Sequence, residues 1–148
     1  MPQSFTQIYI HFTCHTKNNY PFLNETVSEK LYHYIAGILK NLNSIPIQIG
    51  GVNDHIHVLF TLPKTISTSK MAEEIKRSSS KWIKTQGASL QKFYWQDGYG
   101  AFSVSSSKLE SVKNYILKQK EHHKKISFLE EYKLFLKEYN IPFDESYL

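Results

Sequence analysis

The spacing of apolar positions changes period several times along this chain, and each change marks an element. Residues 5–13 are rich in aromatic and β-branched side chains and predict a first strand. Val27, Leu31, Tyr34, Ile35, Ile38 and Leu42 recur at helical spacing, which predicts a helix from a cap at Thr26 or Ser28 to about residue 41, broken by Asn43-Ser44. Residues 45–52 and 55–62 read as two strands joined by a tight turn at Asn53-Asp54, with Pro63 ending the second. Met71, Ile75, Ser78 and Trp82 form the inner stripe of a second helix that starts at Ser67 or Thr68 and reaches about residue 86, where Gly87 stops it. The aromatic, glycine-punctuated residues 93–104 end in a fourth strand. Ser107 with Glu110 predicts a capping box at the head of a third helix, residues 108–124, and Ser127 with Glu130 opens a fourth helix at about residues 127–140.

The order strand-helix-strand-strand-helix-strand, followed by two helices, predicts an α+β fold of the ferredoxin-like or RRM-like kind. In that split βαβ sandwich an antiparallel central sheet carries helices on one face, here with C-terminal helices added. A single domain is expected over residues 1–148. Such a fold hosts many activities, so function has to be read from side chains that converge on it.

Composition narrows the setting. At 41% hydrophobic and 14% aromatic the chain is a folded protein. The single Cys14 excludes an internal disulfide framework and fits a reducing compartment. No run is long and apolar enough to span a bilayer, and the N-terminus lacks the layout of a signal peptide, so a cytoplasmic protein without a membrane partner is expected. The net charge of +5, from 17 lysines and the lone Arg77, suits a polyanionic partner.

The chemistry concentrates in two segments. In Gly50-Gly51-Val52-Asn53-Asp54-His55-Ile56-His57-Val58-Leu59-Phe60, two histidines two residues apart project from one face of a strand. A pair of imidazoles there can hold one metal ion, and Asp54 can orient one of them or simply serve the turn. In the third helix Leu109, Val112 and Ile116 make an apolar stripe, flanked by Tyr115, Gln119 and His122 at i, i+4 and i+7. That edge presents phenol, amide and imidazole together, unless Tyr115 only widens the core stripe while Gln119 and His122 stay solvated. Arg77, Lys81 and Lys84 share a face of the second helix with no acid opposite, a phosphate track if it is not merely a solvated face. Lys118, Lys120, Lys124 and Lys125 form a second basic group, and Tyr94, Trp95, Tyr99 and Phe102 offer surfaces on which bases stack. Gly98 and Gly100 offer a hinge for movement of the tyrosine helix.

Three segments together resemble the HUH single-tyrosine transposases, in particular those of the 200/605 group of insertion sequences. They are Gly51 to Leu59, Trp95 to Ser105, and Tyr115-Ile116-x-x-Gln119-x-x-His122-His123. The resemblance implies an enzyme that cleaves and rejoins single-stranded DNA at element ends bearing hairpins, through a 5′-phosphotyrosine. It implies Tyr115 as nucleophile and His55, His57 and Gln119 as ligands of a divalent cation, Mg²⁺ or Mn²⁺, with Asp54 or His122 as an outer contact or extra ligand. A closed zinc shell is disfavoured, since no thiolate lies near. It also implies a homodimer in which the tyrosine helix of one subunit can complete the site of the other. Arg77, Lys81, Lys84, Lys118 and Lys120 are then the expected DNA contacts. Three other readings compete: a nickase of the rolling-circle or relaxase type, a nucleic-acid binder without catalysis, and a small metal-binding structural protein.

Overall fold

The computed structural model describes residues 2–148. Four strands, β1 (Tyr9–His15), β2 (Pro46–Val52), β3 (His55–Thr61) and β4 (Gly100–Val104), form one antiparallel sheet in the order β2-β3-β1-β4. Helices α1 (Glu25–Asn41) and α2 (Thr68–Ile83) cross between strands, and α3 (Leu109–Leu117), α4 (Gln119–His122) and α5 (Phe128–Glu138) follow the sheet. The split βαβ order predicted from the hydrophobic pattern is therefore the observed one.

Local chemistry explains most boundaries. The Asn24 side chain accepts from the Val27 N–H at 3.0 Å and starts α1 earlier than the hydroxyls expected to cap it. Ser67 accepts from the Lys70 N–H at 3.1 Å and starts α2. Ser127 and Glu130 form the capping box of α5. The expected box at Ser107 does not form. The Ser105 and Ser107 hydroxyls pair with each other at 3.1 Å, Lys108 heads α3 without a side-chain cap, and Glu110 has no hydroxyl to complete. The third helix is also shorter than its periodicity suggests. It ends at Leu117 with Lys118 as its cap, and Gln119, which opens α4, is buried.

Alternation along β1 and β3 sends successive side chains to opposite faces of the sheet. Ile10, Phe12, Cys14, Ile56, Val58 and Phe60 join Leu31, Ile35, Leu39, Met71 and Ile75 of α1 and α2 in the main core. The other face is covered as well, by α3 to α5. There Leu59, Val104 and Ile116 pack with Val112 and Tyr115, and Phe102 packs with Phe128, Tyr132 and Leu136 of α5. Two glycines let these helices sit so close. A Cβ on Gly50 would lie 2.7 Å from the Ile116 carbonyl oxygen of α3. One on Gly100 would lie 2.8 Å from the Tyr132 ring of α5. Gly100 is thus a close-packed strand residue paired with Thr13, not a hinge.

Candidate active site

The face beneath α3 to α5 carries the histidines. The β1–β3 register sets Thr13 opposite His57 and His15 opposite His55, so β1 adds His11 and His15 to the same face. His11, His15, His55 and His57 are all buried. Imidazoles in such a setting need partners, because an unsatisfied buried polar atom costs about 1–3 kcal/mol.

The partners come from outside the sheet as well as from it. Asp54, in the turn before β3, accepts from His55 Nδ1 at 2.8 Å. His57 Nδ1 meets His11 Nε2 at 2.8 Å. From α5, the Glu131 carboxylate reaches between the rings: Oε1 stands 2.9 Å from His57 Nε2 and 3.6 Å from His55 Nε2. Its Oε2 accepts from the Tyr115 hydroxyl and from Gln119 Nε2, the latter at 3.1 Å. His123 Nε2 and His122 Nε2 approach the same oxygen at 3.1 and 3.4 Å. Gln119 Oε1 faces His55 Nε2 at 2.9 Å. One carboxylate, only 2% exposed, thereby ties the two strand histidines to the tyrosine and the glutamine.

Burial and charge set the protonation of this cluster. Burial, with His57 beside it, lowers His11 to about 3. Burial also lowers His57 to about 4, against the opposing pull of Glu131. Burial alone would raise the Glu131 carboxyl. The hydrogen bonds and charge of His123 and His57, with the Tyr115 hydroxyl, outweigh it and hold that carboxyl well below the glutamate range. Burial and then the Glu131 carboxylate push the Tyr115 phenol well above its usual value. At His123 burial opposes a proton but Glu131 prevails, and its proton affinity rises. The two groups attract by charge, although Nε2 of His123 has no hydrogen-bond partner of usable geometry.

The structure therefore brings His55, His57, Tyr115 and Gln119 together, with Asp54 behind His55 and His122 beside the Tyr115 ring, the two rings 5.1 Å apart. Tyr115 and the histidines meet within one chain. The basic residues fare differently. Arg77 is paired with Glu73 at 3.1 Å and Glu74 at 2.7 Å, so the second helix does carry acids along that face. Lys84 lies over the Tyr94 ring and donates to Ser80. Lys120 pairs with Glu25 at the surface. Of the four aromatics, Trp95 and Phe102 are core, while Tyr94 and Tyr99 are exposed.

Glu131 was not singled out by the sequence pattern, and neither were His11 and His15. The signals were present. Glu131 shares the helical stripe of Phe128, Tyr132 and Phe135, an acid on an apolar face, and His11 and His15 share strand parity once β1 pairs with β3. His123, just after α4, donates from Nδ1 to the Ile126 carbonyl at 2.9 Å and reaches the cluster with Nε2.

Comparison with known proteins agrees with this geometry. Residues 4–119 match the family described as "Transposase IS200 like". The chain belongs to the IS200-like transposase family. No curated protein matches it. Among solved structures, it resembles a putative transposase from Deinococcus radiodurans R1, with a TM-score of 0.63 at 16% identity over 80% of this chain and 98% of that one. It also resembles a REP-associated tyrosine transposase bound to a REP hairpin, with a TM-score of 0.62 at 17% identity over 83% of this chain and 73% of that one. At these identities the likeness is one of fold. The IS200-like match stops at residue 119, so α5 and Glu131 lie beyond it.

The donor set fits a divalent cation. Ligand atoms of His55, His57, His123 and Glu131 all lie within 4.8 Å of one another. In this IS200-like chain no helix among the described residues is long and apolar enough to cross a membrane.

Proposed function

We propose that this chain cleaves and rejoins single-stranded DNA, with Tyr115 as the nucleophile. The observation that carries the reading is the meeting of the Tyr115 hydroxyl with Glu131, against His57, in the wall of an open cleft. That cleft, about 670 Å³, is lined by His11, Ser105, Lys108, Tyr115, His122 and Phe135 among others. It has room for a strand of DNA to pass over the phenol.

In the proposed step the Tyr115 oxygen attacks a backbone phosphorus, forming a Tyr–O–P bond as the P–O3′ bond breaks. The products are a 5′-phosphotyrosine and a free 3′ oxygen, which takes up a proton, and the phenolic proton leaves toward Glu131. Because the bond energy is retained in the phosphotyrosine, a 3′ hydroxyl can reverse the step and rejoin strands. Burial and Glu131 make the phenol reluctant to ionise, so charge on the phosphate must be offset nearby. A divalent cation, Mg²⁺ or Mn²⁺ by the resemblance and held by His55, His57 and Gln119, supplies Lewis-acid polarisation of the phosphate when bound. Asp54 fixes the His55 ring so that Nε2 faces the site. Lys108 in the cleft wall supplies positive charge for the DNA backbone.

The hairpin bound by the structural relative supports a DNA partner with hairpin ends. The family resemblance brings a homodimer. Since Tyr115 reaches the histidines of its own chain, the geometry supports cleavage in cis over exchange between subunits. Incubation with a hairpin-bearing oligonucleotide and Mn²⁺ or Mg²⁺ should give an adduct stable to denaturing electrophoresis, absent in Tyr115→Phe. Hairpin binding without an adduct under both metals supports the non-catalytic binder instead.

A further inference from the structure

We infer that the cation site of this chain is built from three histidines and a carboxylate, His55, His57, His123 and Glu131, and takes a first-row transition ion in preference to Mg²⁺. The inference rests on the proposed function for His55 and His57 and departs from it at Gln119, which becomes the residue that orients Glu131.

Hydrogen positions follow from the partners each ring has. An ionised Asp54 only accepts, so His55 carries its hydrogen on Nδ1 and leaves Nε2 bare toward the cluster. The Ile126 carbonyl only accepts, so His123 likewise carries its hydrogen on Nδ1. Its Nε2 is buried, unpartnered and 3.1 Å from a carboxylate oxygen. His57 is held from behind by His11 and presents Nε2 to the other carboxylate oxygen. Each of the three rings thus has its rear nitrogen engaged and its front nitrogen aimed at Glu131, the outer-contact pattern of metal-binding histidines.

The Gln119 amide sharpens the point. It sits between two acceptors, His55 Nε2 at 2.9 Å and Glu131 Oε2 at 3.1 Å. As placed, its oxygen faces a bare ring nitrogen; turned over, the oxygen faces a carboxylate oxygen. Either orientation leaves two lone pairs opposed. A proton on one nitrogen relieves one such contact, whereas a single cation amid the three ring nitrogens and the carboxylate relieves them together.

Spacing and donor type then choose the ion. Ligands about 2.0–2.2 Å from one tetrahedral ion stand roughly 3.3–3.6 Å apart. Glu131 Oε1 lies 2.9 and 3.6 Å from His57 and His55, and Oε2 lies 3.1 Å from His123, so two of the three contacts must lengthen by a few tenths of an ångström to admit an ion. Three imidazoles and one carboxylate suit Zn²⁺, Co²⁺ or Mn²⁺, while Mg²⁺ calls for an octahedron of oxygens.

The test is calorimetric titration of Zn²⁺ into the full, tag-free chain, with Mg²⁺ as competitor, alongside Zn X-ray absorption of the loaded wild type. One Zn²⁺ per chain is expected, undisturbed by millimolar Mg²⁺, with three imidazoles in the absorption spectrum. His123→Asn and Glu131→Gln should each weaken binding at least about tenfold, and Gln119→Ala by less than that. Wild-type affinity in both His123→Asn and Glu131→Gln, or two imidazoles at the zinc, overturns the inference. The absorption spectrum decides the matter even if a variant does not fold. Zn²⁺ binding and adduct formation are read separately in the wild-type chain: one Zn²⁺ bound with no DNA adduct counts against strand cleavage alone, and an adduct with unaltered zinc binding in the two variants counts against the ligand set alone.

Discussion

Ile56 and His57 are neighbours in β3, both fully buried, and they face opposite ways. Ile56 enters an apolar core between the sheet and the two crossover helices. His57 enters a polar cluster beneath α3 and α5, where a ring nitrogen and a carboxylate meet at 2.9 Å. The first face holds the fold by removing apolar surface from water; the second spends buried space on groups that are costly to bury unpaired. Burial by itself therefore does not separate structural from functional positions in this strand. The partners do.

Paired substitutions should divide these roles, with the largest effects first. His57→Ala is expected to lower strand cleavage at least about a hundredfold while the protein stays folded. Ile56→Ala is expected to lose about 2–5 kcal/mol of stability, read by denaturant unfolding, yet to cleave DNA at a temperature where it remains folded. If both variants lose stability and activity alike, the two faces are not separable.

The glycines beneath the helices offer the next contrast. Gly50→Ala sets a methyl group against the Ile116 carbonyl and Gly100→Ala sets one against Tyr132, each at under 3 Å. About 1–3 kcal/mol of destabilisation is expected for each. Because both contacts seat the helices that carry Tyr115 and Glu131, adduct formation should fall in these variants even well below their unfolding temperature. Gly37→Ala, inside α1 with nothing within 4 Å of its added methyl, is the control: it should leave adduct formation unchanged and raise stability by about 0.5–1 kcal/mol through helix propensity.

Titration gives a smaller and opposite signature for each face in chelator-treated protein. His11 is held near 3 when folded, against about 6.5 when unfolded. Between those values the unfolded chain binds the extra proton, so stability rises with pH and is lost as pH falls from about 6.5 toward 3. Cys14, on the apolar face, is raised by burial to about 12. Above about 9 the unfolded chain releases a proton that the folded one keeps, so stability falls as pH rises toward 12. Unfolding free energies across pH should lose part of their acid slope in His11→Asn, the rest coming from His57 and Glu131, and part of their alkaline slope in Cys14→Ala, each group contributing about 1.4 kcal/mol per pH unit at most.

The periodic elements were legible because apolar spacing reports which face is buried. Strand and helix order, the Asn53-Asp54 turn and the Ser127 capping box all follow from local pattern. The HUH pair and the Tyr115–Gln119 edge were legible as spacing within single elements. What escaped needed tertiary pairing: His11 joins the site only through the β1–β3 register, and Glu131 only because α5 folds back over Gly100. The false box at Ser107 shows the converse, a correct local motif overruled when two serines pair with each other. The acids that neutralise Arg77 were in plain view at i−4 and i−3, Glu73 and Glu74, since a helix brings those positions to one side.

The central claim is that Tyr115 itself carries the cleaved strand. After reaction with a hairpin-bearing single strand, nuclease trimming and trypsin digestion, mass spectrometry should find a nucleotide on the peptide spanning residues 114–118, Asn-Tyr-Ile-Leu-Lys, where Tyr115 is the only hydroxyl. A nucleotide on any other peptide, with residues 114–118 unmodified, contradicts the account.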